Sequence, residues 1–301
     1  MKPSIQILLS TYNGELYLRE QINSLLSQKD IEVHILIRDD GSTDKTINII
    51  EEYSKKNENI EYYKGKNLGF AKSFWDLLCH DTVHDYALYA FCDQDDVWEK
   101  NKLLNAAESI RQEEMRNPDK PILYTSNVQY INEESKPIYG NEFTGGVINR
   151  YESFLKSILP GCTFVFNFKA KNILAMYQGF MIAHDWAAYA IINAMGIVLY
   201  DQNSAPVLYR LHGNNTIGIQ TPCQKFFTQI RRFFKKKTNA RSRFAKDFYI
   251  TYKEYLSDKE FSTHICWLAY YRDNFSCRVR LLFGRKFKGL IFRLYVLLGR
   301  M

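Results

Sequence analysis

The sequence predicts an α/β fold, a mainly parallel sheet flanked by helices, with a basic helical extension at its C-terminal end. Three observations carry that expectation. Short apolar runs alternate with stretches of helical periodicity over residues 4–200, the pattern of strands joined by crossover helices. Polar clusters close three of the runs, at Thr11-Tyr12-Asn13, Asp39-Asp40 and Asp93-Gln94-Asp95-Asp96, and in a parallel sheet such strand ends fall along one edge. The charge then changes character: residues 219–301 carry 19 Lys and Arg against 5 Asp and Glu, while residues 1–218 carry 21 against 28. The expected division is therefore a catalytic body over 1–218 and a basic, aromatic-rich helical region over 219–301.

Taken in order, Ser4–Leu9 reads as a buried strand closing on the turn-rich Ser10–Gly14. Leu18, Ile22, Leu25 and Leu26 then share a helical face. Val33–Ile37 is a second strand, and the loop from Arg38 to Asp44 supplies acids, a glycine and a helix N-cap. The helix after it places Ile49, Ile50 and Tyr53 together. Ile60–Tyr63 is a third strand, Lys66–Gly69 a turn, and Phe70, Phe74, Leu77 and Leu78 mark the next helix. The run Tyr86–Phe91 reads as a strand buried on both faces, leading straight into the acids at 93–96.

After Trp98 a helix runs to about Arg116. Pro121–Tyr130 is read as one strand, and residues 132–149 as a mobile, glycine-bearing loop near the site. Tyr151–Leu159 is expected to be helical and Cys162–Phe168 a strand, followed by a helix through Tyr177. His184–Met195 is a helix; Ile197–Tyr200 and Val207–Arg210 are short strands. Beyond 219, Phe226, Phe227, Ile230, Phe233 and Phe234 alternate with Arg231, Arg232 and Lys235–Lys237. Such segments either lie in an anionic membrane interface or pack as a bundle with a solvated basic face.

Composition narrows the class. With 46% hydrophobic residues in 301, the chain can bury a sizeable core. Six scattered cysteines with no CxxC pair argue against a zinc site or a disulfide framework and fit a reducing compartment. The N-terminus is interrupted too soon for a secretory signal, and no run approaches the ~18 apolar residues of a membrane span.

The acids set the chemistry. Three carboxylates within four residues repel one another, and either solvent or a divalent cation must neutralise them. An acidic sheet edge can hold phosphates only through a bridging cation. No G-x-x-x-x-G-K-[ST] loop and no G-x-G-x-x-G follows the first strand, so a P-loop or dinucleotide site is not expected. A nucleotide-diphosphate site with a bridging metal remains.

Ser10-Thr11-Tyr12-Asn13-Gly14, Asp39-Asp40-Gly41-Ser42-Thr43-Asp44, Asn67-Leu68-Gly69 and Asp93-Gln94-Asp95-Asp96-Val97-Trp98 come in the order and spacing of family 2 glycosyltransferases of the GT-A fold, which residues 3–215 resemble. The Asp-Gln-Asp-Asp-x-Trp form and Tyr209–Asn215 resemble the bacterial rhamnosyltransferase-like branch, whose members build cell-surface polysaccharides.

The resemblance implies roles. Thr11, Tyr12, Asn13, Asp39, Asp40 and Asn67 would line the nucleotide. Asp93 would stand at the ribose or the metal, and Asp95 would bind Mn2+ or Mg2+. Asp96 could support the metal or position the sugar. Asp185, in the stretch His184-Asp185-Trp186 where the family carries an acidic pair, would be the catalytic base; read alone it is an N-cap. His212 is either a third metal ligand or a turn histidine. Trp98 and Trp186 either line the sugar site, with His184 beside them, or pack in the core.

The implied reaction is an inverting, metal-dependent transfer from a dTDP- or UDP-sugar to a lipid-linked saccharide. L-rhamnose is the leading sugar, with a UDP-hexose or UDP-HexNAc close behind. The enzyme would sit in the cytoplasm at the inner face of the cell membrane, held by its basic tail, with no nucleic-acid partner. Two other classes stay open: a nucleotidyltransferase, although the basic, glycine-rich first loop that class needs is missing, and a non-catalytic sugar-nucleotide-binding module.

Overall fold

In β1 (Ser4–Thr11) every residue from Ile5 to Leu9 is buried, as a strand covered on both faces requires. It is the centre of the larger sheet. β2 (Glu32–Asp39) pairs with it in parallel on one side and β4 (Leu88–Cys92) in parallel on the other. β3 (Ile60–Lys64) extends the sheet beyond β2. The crossovers are α1 (Leu18–Leu26), α2 (Thr46–Lys56) and α3 (Phe70–Cys79), each burying the apolar stripe its sequence predicts. The structure, a computed structural model, describes residues 2–83, 85–139, 145–156, 159–212, 239–283, 293, 296 and 297. The chain divides into two compact units, Met1–Arg210 and Leu211–Met301.

The strand order of the larger sheet is β3-β2-β1-β4-β8-β6-β9. Strands are added in one direction from β1 to β3, and then β4 is placed on the far side of β1. That reversal is where an open α/β sheet opens a crevice at its carboxyl edge. β8 (Val165–Asn167) is the antiparallel exception, set between β4 and β6 (Ile122–Ser126), and β9 (Ile197–Asp201) resumes the parallel direction beside β6. The mainly parallel sheet flanked by helices agrees with the expected fold.

A second sheet has the order β5-β10-β7, from β5 (Val97–Trp98), β10 (Val207–Arg210) and β7 (Val128–Ile131). It corrects the reading of Pro121–Tyr130 as one strand. The run breaks at Asn127, whose N–H goes to the Ser204 carbonyl and whose Oδ1 accepts from Tyr200, and the two halves join different sheets. Within 132–149, the described part begins as a tight turn: Asn132 Oδ1 accepts from the Glu134 and Lys136 amides.

Two further expectations are corrected. Tyr151–Leu159 forms only a 3-10 turn at Glu152–Phe154 among its described residues. Cys162 lies in a 3-10 turn, Gly161–Thr163, because the Pro160 carbonyl takes both the N–H and the hydroxyl of Thr163. α4 (Lys102–Arg116), α5 (Phe168–Ala175) and α6 (His184–Met195) match their predicted positions.

The second unit contains α7 (Ala240–Tyr252), α8 (Lys259–Tyr270) and α9 (Phe275–Phe283), with Phe244, Phe248, Tyr252, Phe261, Ile265 and Leu268 buried. The basic aromatic segment at 225–237 and most of the run from Gly289 to Gly299 lie outside the described residues. No helix among the described residues is long and apolar enough to cross a membrane.

Candidate active site

The predicted polar clusters meet at the carboxyl edge, since Thr11 is in register with Asp39 and Leu9 with Cys92. Asp39 and Asp40 are both buried there, and both brace loops. Asp39 accepts from the Gly41 and Ser42 amides at 3.1 and 2.9 Å and from the Thr11 hydroxyl at 3.3 Å. Asp40 accepts from the Leu68 and Gly69 amides at 2.8 and 2.9 Å, and its carboxylate is paired with buried Arg38. Arg38 in turn reaches Asp76 at 2.8 Å and Ser73 at 3.0 Å. This network fixes the Asn67-Leu68-Gly69 turn against the end of β2. Tyr12, Asn13 and Asn67 are left at the surface of the edge.

Gln94 joins this edge to the acidic turn: its amide accepts from Tyr12 N at 2.8 Å and donates to Tyr12 O at 3.1 Å. The acids themselves are crowded. Burial first, then the Asp95 and Asp185 carboxylates, push Asp93 up to about 8. Burial, then Asp95 and Asp93, push Asp96 well above the usual carboxylate range. Asp96 is 1% exposed; one oxygen accepts from the Arg210 amide at 3.2 Å, and Oδ2 has no hydrogen-bond partner.

Donor atoms of Asp93, Asp96 and Cys162 lie within 4.8 Å of one another. The crowded hard oxygens and the orphaned Oδ2 fit a divalent cation. The thiol does not: burial, then Asp96 and Asp93, push it up, so it stays protonated and neutral. Asp95 lies near enough to raise both neighbours but outside that group of three. Beneath the turn, Lys102 is buried with its Nζ 3.5 Å from the centre of the Trp98 ring and without a hydrogen-bond partner. Burial pulls it down to about 8 against the opposing pull of Cys92, Cys162 and Asp96.

Asp185 opens α6 from the other side of the crevice. It is half-buried, accepts from the Trp186 amide at 2.6 Å, and burial pushes it up to about 6. His184 before it is sealed in an aromatic cage, stacked on Phe74 at 3.8 Å and edge-on to Phe91 at 5.3 Å. Both ring nitrogens lack hydrogen bonds, and burial takes it down to about 3, so it is neutral. Gly161 makes room for both residues: a Cβ there would come 2.7 Å from His184 Nε2 and 2.9 Å from Asp185 Cβ.

Thr11, Asp39, Asp40, Asp93, Asp95, Asp96 and Asp185 are thus brought to one edge. Trp98 is 2% exposed and packs in the core, and Trp186 donates its indole N–H to the Ser153 carbonyl at 2.5 Å. His212 follows β10 by two residues, and Gly213–Asn215 of its motif lie outside the described residues. Arg38, Gln94, Lys102, Gly161, Cys162 and Arg210 were not predicted. The signal for Arg210 was present, since an arginine ending an apolar strand must find partners when that strand is buried.

A mainly parallel sheet with a braced nucleotide-facing edge and an acidic turn at its switch point defines a GT-A glycosyltransferase. The chain belongs to glycosyl transferase family 2, whose sequence profile matches residues 6–173. Among its relatives is the dTDP-rhamnosyl transferase RfbG of Shigella flexneri, 31% identical over 70% of this chain and 73% of that one. The putative teichuronic acid biosynthesis glycosyltransferase TuaG of Bacillus subtilis is 25% identical over 71% and 81%. S. aureus TarS, solved with UDP-GlcNAc, shares the fold with a TM-score of 0.57 at 16% identity, over 99% of this chain and 80% of that one. The chain is therefore a glycosyltransferase, which sets aside the nucleotidyltransferase and binding-module alternatives.

Proposed function

We propose that the chain transfers L-rhamnose from dTDP-rhamnose to a lipid-linked saccharide with inversion, using a divalent cation. The observation that carries the reaction is Asp185: a half-buried carboxylate, raised to about 6, within electrostatic reach of Asp93. It is ionised at neutral pH and basic enough to take the proton of an acceptor hydroxyl as that oxygen attacks the anomeric carbon. Asp93 and Asp95, with Asp96 behind them, would hold Mn2+ or Mg2+. The cation would offset the charge growing on the leaving nucleoside diphosphate.

Thr11, Tyr12, Asn13 and Asn67 present the nucleoside surface, and Asp39 and Asp40 keep its loops in place. The donor assignment is supported by the RfbG relative, which is named for dTDP-rhamnose. The metal assignment is supported by an archaeal mannosyltransferase of the same fold solved with GDP-Man and Mn2+, TM-score 0.50 at 14% identity over 99% of this chain and 80% of that one. The acceptor and membrane assignments rest on charge: the basic C-terminal region exposes Phe275 and Phe283 at 78 and 79%. Cationic, aromatic helices suit an anionic bilayer surface, where a lipid carrier also lies.

The test is donor hydrolysis and thermal shift with dTDP-rhamnose, UDP-glucose, UDP-galactose and UDP-GlcNAc, each with and without Mn2+. A Mn2+-dependent response to dTDP-rhamnose above the others is expected. A response confined to a UDP-sugar refutes the donor, and one independent of Mn2+ refutes the metal. Flotation with anionic but not neutral vesicles is expected of the full chain; no flotation refutes the membrane contact.

A further inference from the structure

We infer that Arg210 is a positioning residue that locks the acidic turn to the turn at 132–135 and to α1, so that the three move as one body. Its side chain is 0% exposed. Every arm of the guanidinium is used. Nε donates to the Asp95 carbonyl at 2.9 Å. Nη1 donates to the Asn132 and Glu133 carbonyls at 3.3 and 3.2 Å and to the Ser135 hydroxyl at 2.9 Å. Nη2 meets the Glu20 carboxylate at 2.6 Å, and the Arg210 backbone N–H holds Asp96 Oδ1. The plane lies over the Tyr17 ring at 4.6 Å. Ser135 closes the circuit by donating to both oxygens of Glu20, at 2.8 and 3.1 Å, from a left-handed backbone with φ of 62°.

Only a planar fork can serve these directions at once; an ammonium cannot. Sealed inside, these charge-assisted bonds hold geometry to tenths of an ångström, the tolerance a site for a transferring group needs. The consequence is directional. The carboxylates of Asp95 and Asp96 are placed by their own backbone, and that backbone is placed by Arg210. Glu20 and Ser135 touch no carboxylate of the acidic turn, yet they orient the fork that does the placing. The catalytic part of the inference rests on the proposed role of the acidic turn; the mechanical part does not.

The test is the E20Q/S135A double variant, with R210K beside it. Both changes in the double variant are at partly exposed side chains, so the fold is retained even where R210K fails to fold. In hydrogen exchange of the ligand-free protein, peptides spanning 93–98 should exchange about tenfold faster in the double variant, together with those spanning 132–136. Faster exchange at 132–136 alone overturns the lock, whatever the enzyme's donor or metal. In turnover, kcat should fall about tenfold with donor KM changed less than twofold, since only geometry at the reacting end is lost. An unchanged kcat with the exchange effect present keeps the lock and overturns the role of the acidic turn.

Discussion

Gly161→Ala tests how closely the base is placed. The added methyl would stand 2.7 Å from His184 Nε2 and 2.9 Å from Asp185 Cβ, short by several tenths of an ångström of ordinary contact, which begins at 3.4 Å. Neither neighbour can yield cheaply. His184 is held between Phe74 and Phe91, and the Cβ of Asp185 is the root of its side chain. The first turn of α6 must therefore shift, carrying the base with it. Overpacking of this kind costs about 1–3 kcal/mol of stability. A displacement approaching 1 Å costs on the order of a hundredfold in rate. The assay is release of nucleoside diphosphate from the responding donor, alongside urea unfolding. A kcat reduced tenfold or more with little change in donor KM is expected. Activity within threefold of wild type, from a protein that has lost stability, would show that Asp185 is not the base or that its placement does not matter.

Asp185→Asn should lower kcat by about a hundredfold to ten-thousandfold, as loss of a general base does. In the wild type, kcat/KM should fall tenfold per unit as pH drops below about 6, where Asp185 takes up a proton; a flat profile down to pH 5 would sink the assignment. His184→Phe should remove an acid-side loss of stability. The unfolded chain protonates this histidine near 6.5 and the native protein only near 3, so the wild type loses ground as pH falls through that window. Each pH unit is worth about 1.4 kcal/mol, and between pH 7.5 and 5 the variant should gain about 2 kcal/mol on the wild type in urea unfolding; parallel stability curves would contradict this. Lys102→Met should stabilise at pH 7 by about 2 kcal/mol, because it removes a buried ammonium without hydrogen bonds. The gain should shrink as pH rises from about 8 towards 10.5, where the native wild type has shed its proton and the unfolded chain has not. A variant less stable at both pH 7 and pH 9 would mean that the charge is repaid by Asp96 and Trp98.

Much of the fold could be read directly. The strands β1 to β4 and helices α1 to α4 are long or strongly periodic, and each buries what its own pattern says it must. The acids at 93–96 were legible because a both-faces-buried strand leading into carboxylates has one reading in a parallel sheet. The break at Asn127 and the two-residue strand at Val97–Trp98 were not legible, because their partners come from β10, more than 75 residues away. Cys162 was misread as strand because its apolar neighbours look like one, while Pro160 and the Thr163 hydroxyl turn the chain instead.

By itself, then, the sequence determined the class of fold, the order of its elements, the family, and which residue types gather at the carboxyl edge. These follow from local periodicity and from short motifs, which need no distant partner to be recognised. Only the tertiary structure decided what those residues do to one another. It turned Asp39 and Asp40 into loop braces, sent Trp98 into the core above a buried lysine, and sealed His184 in an aromatic cage. It also hung the acidic turn on Arg210. Each of these depends on desolvation and on hydrogen bonds between residues far apart in the chain, and neither is written in the residues one at a time.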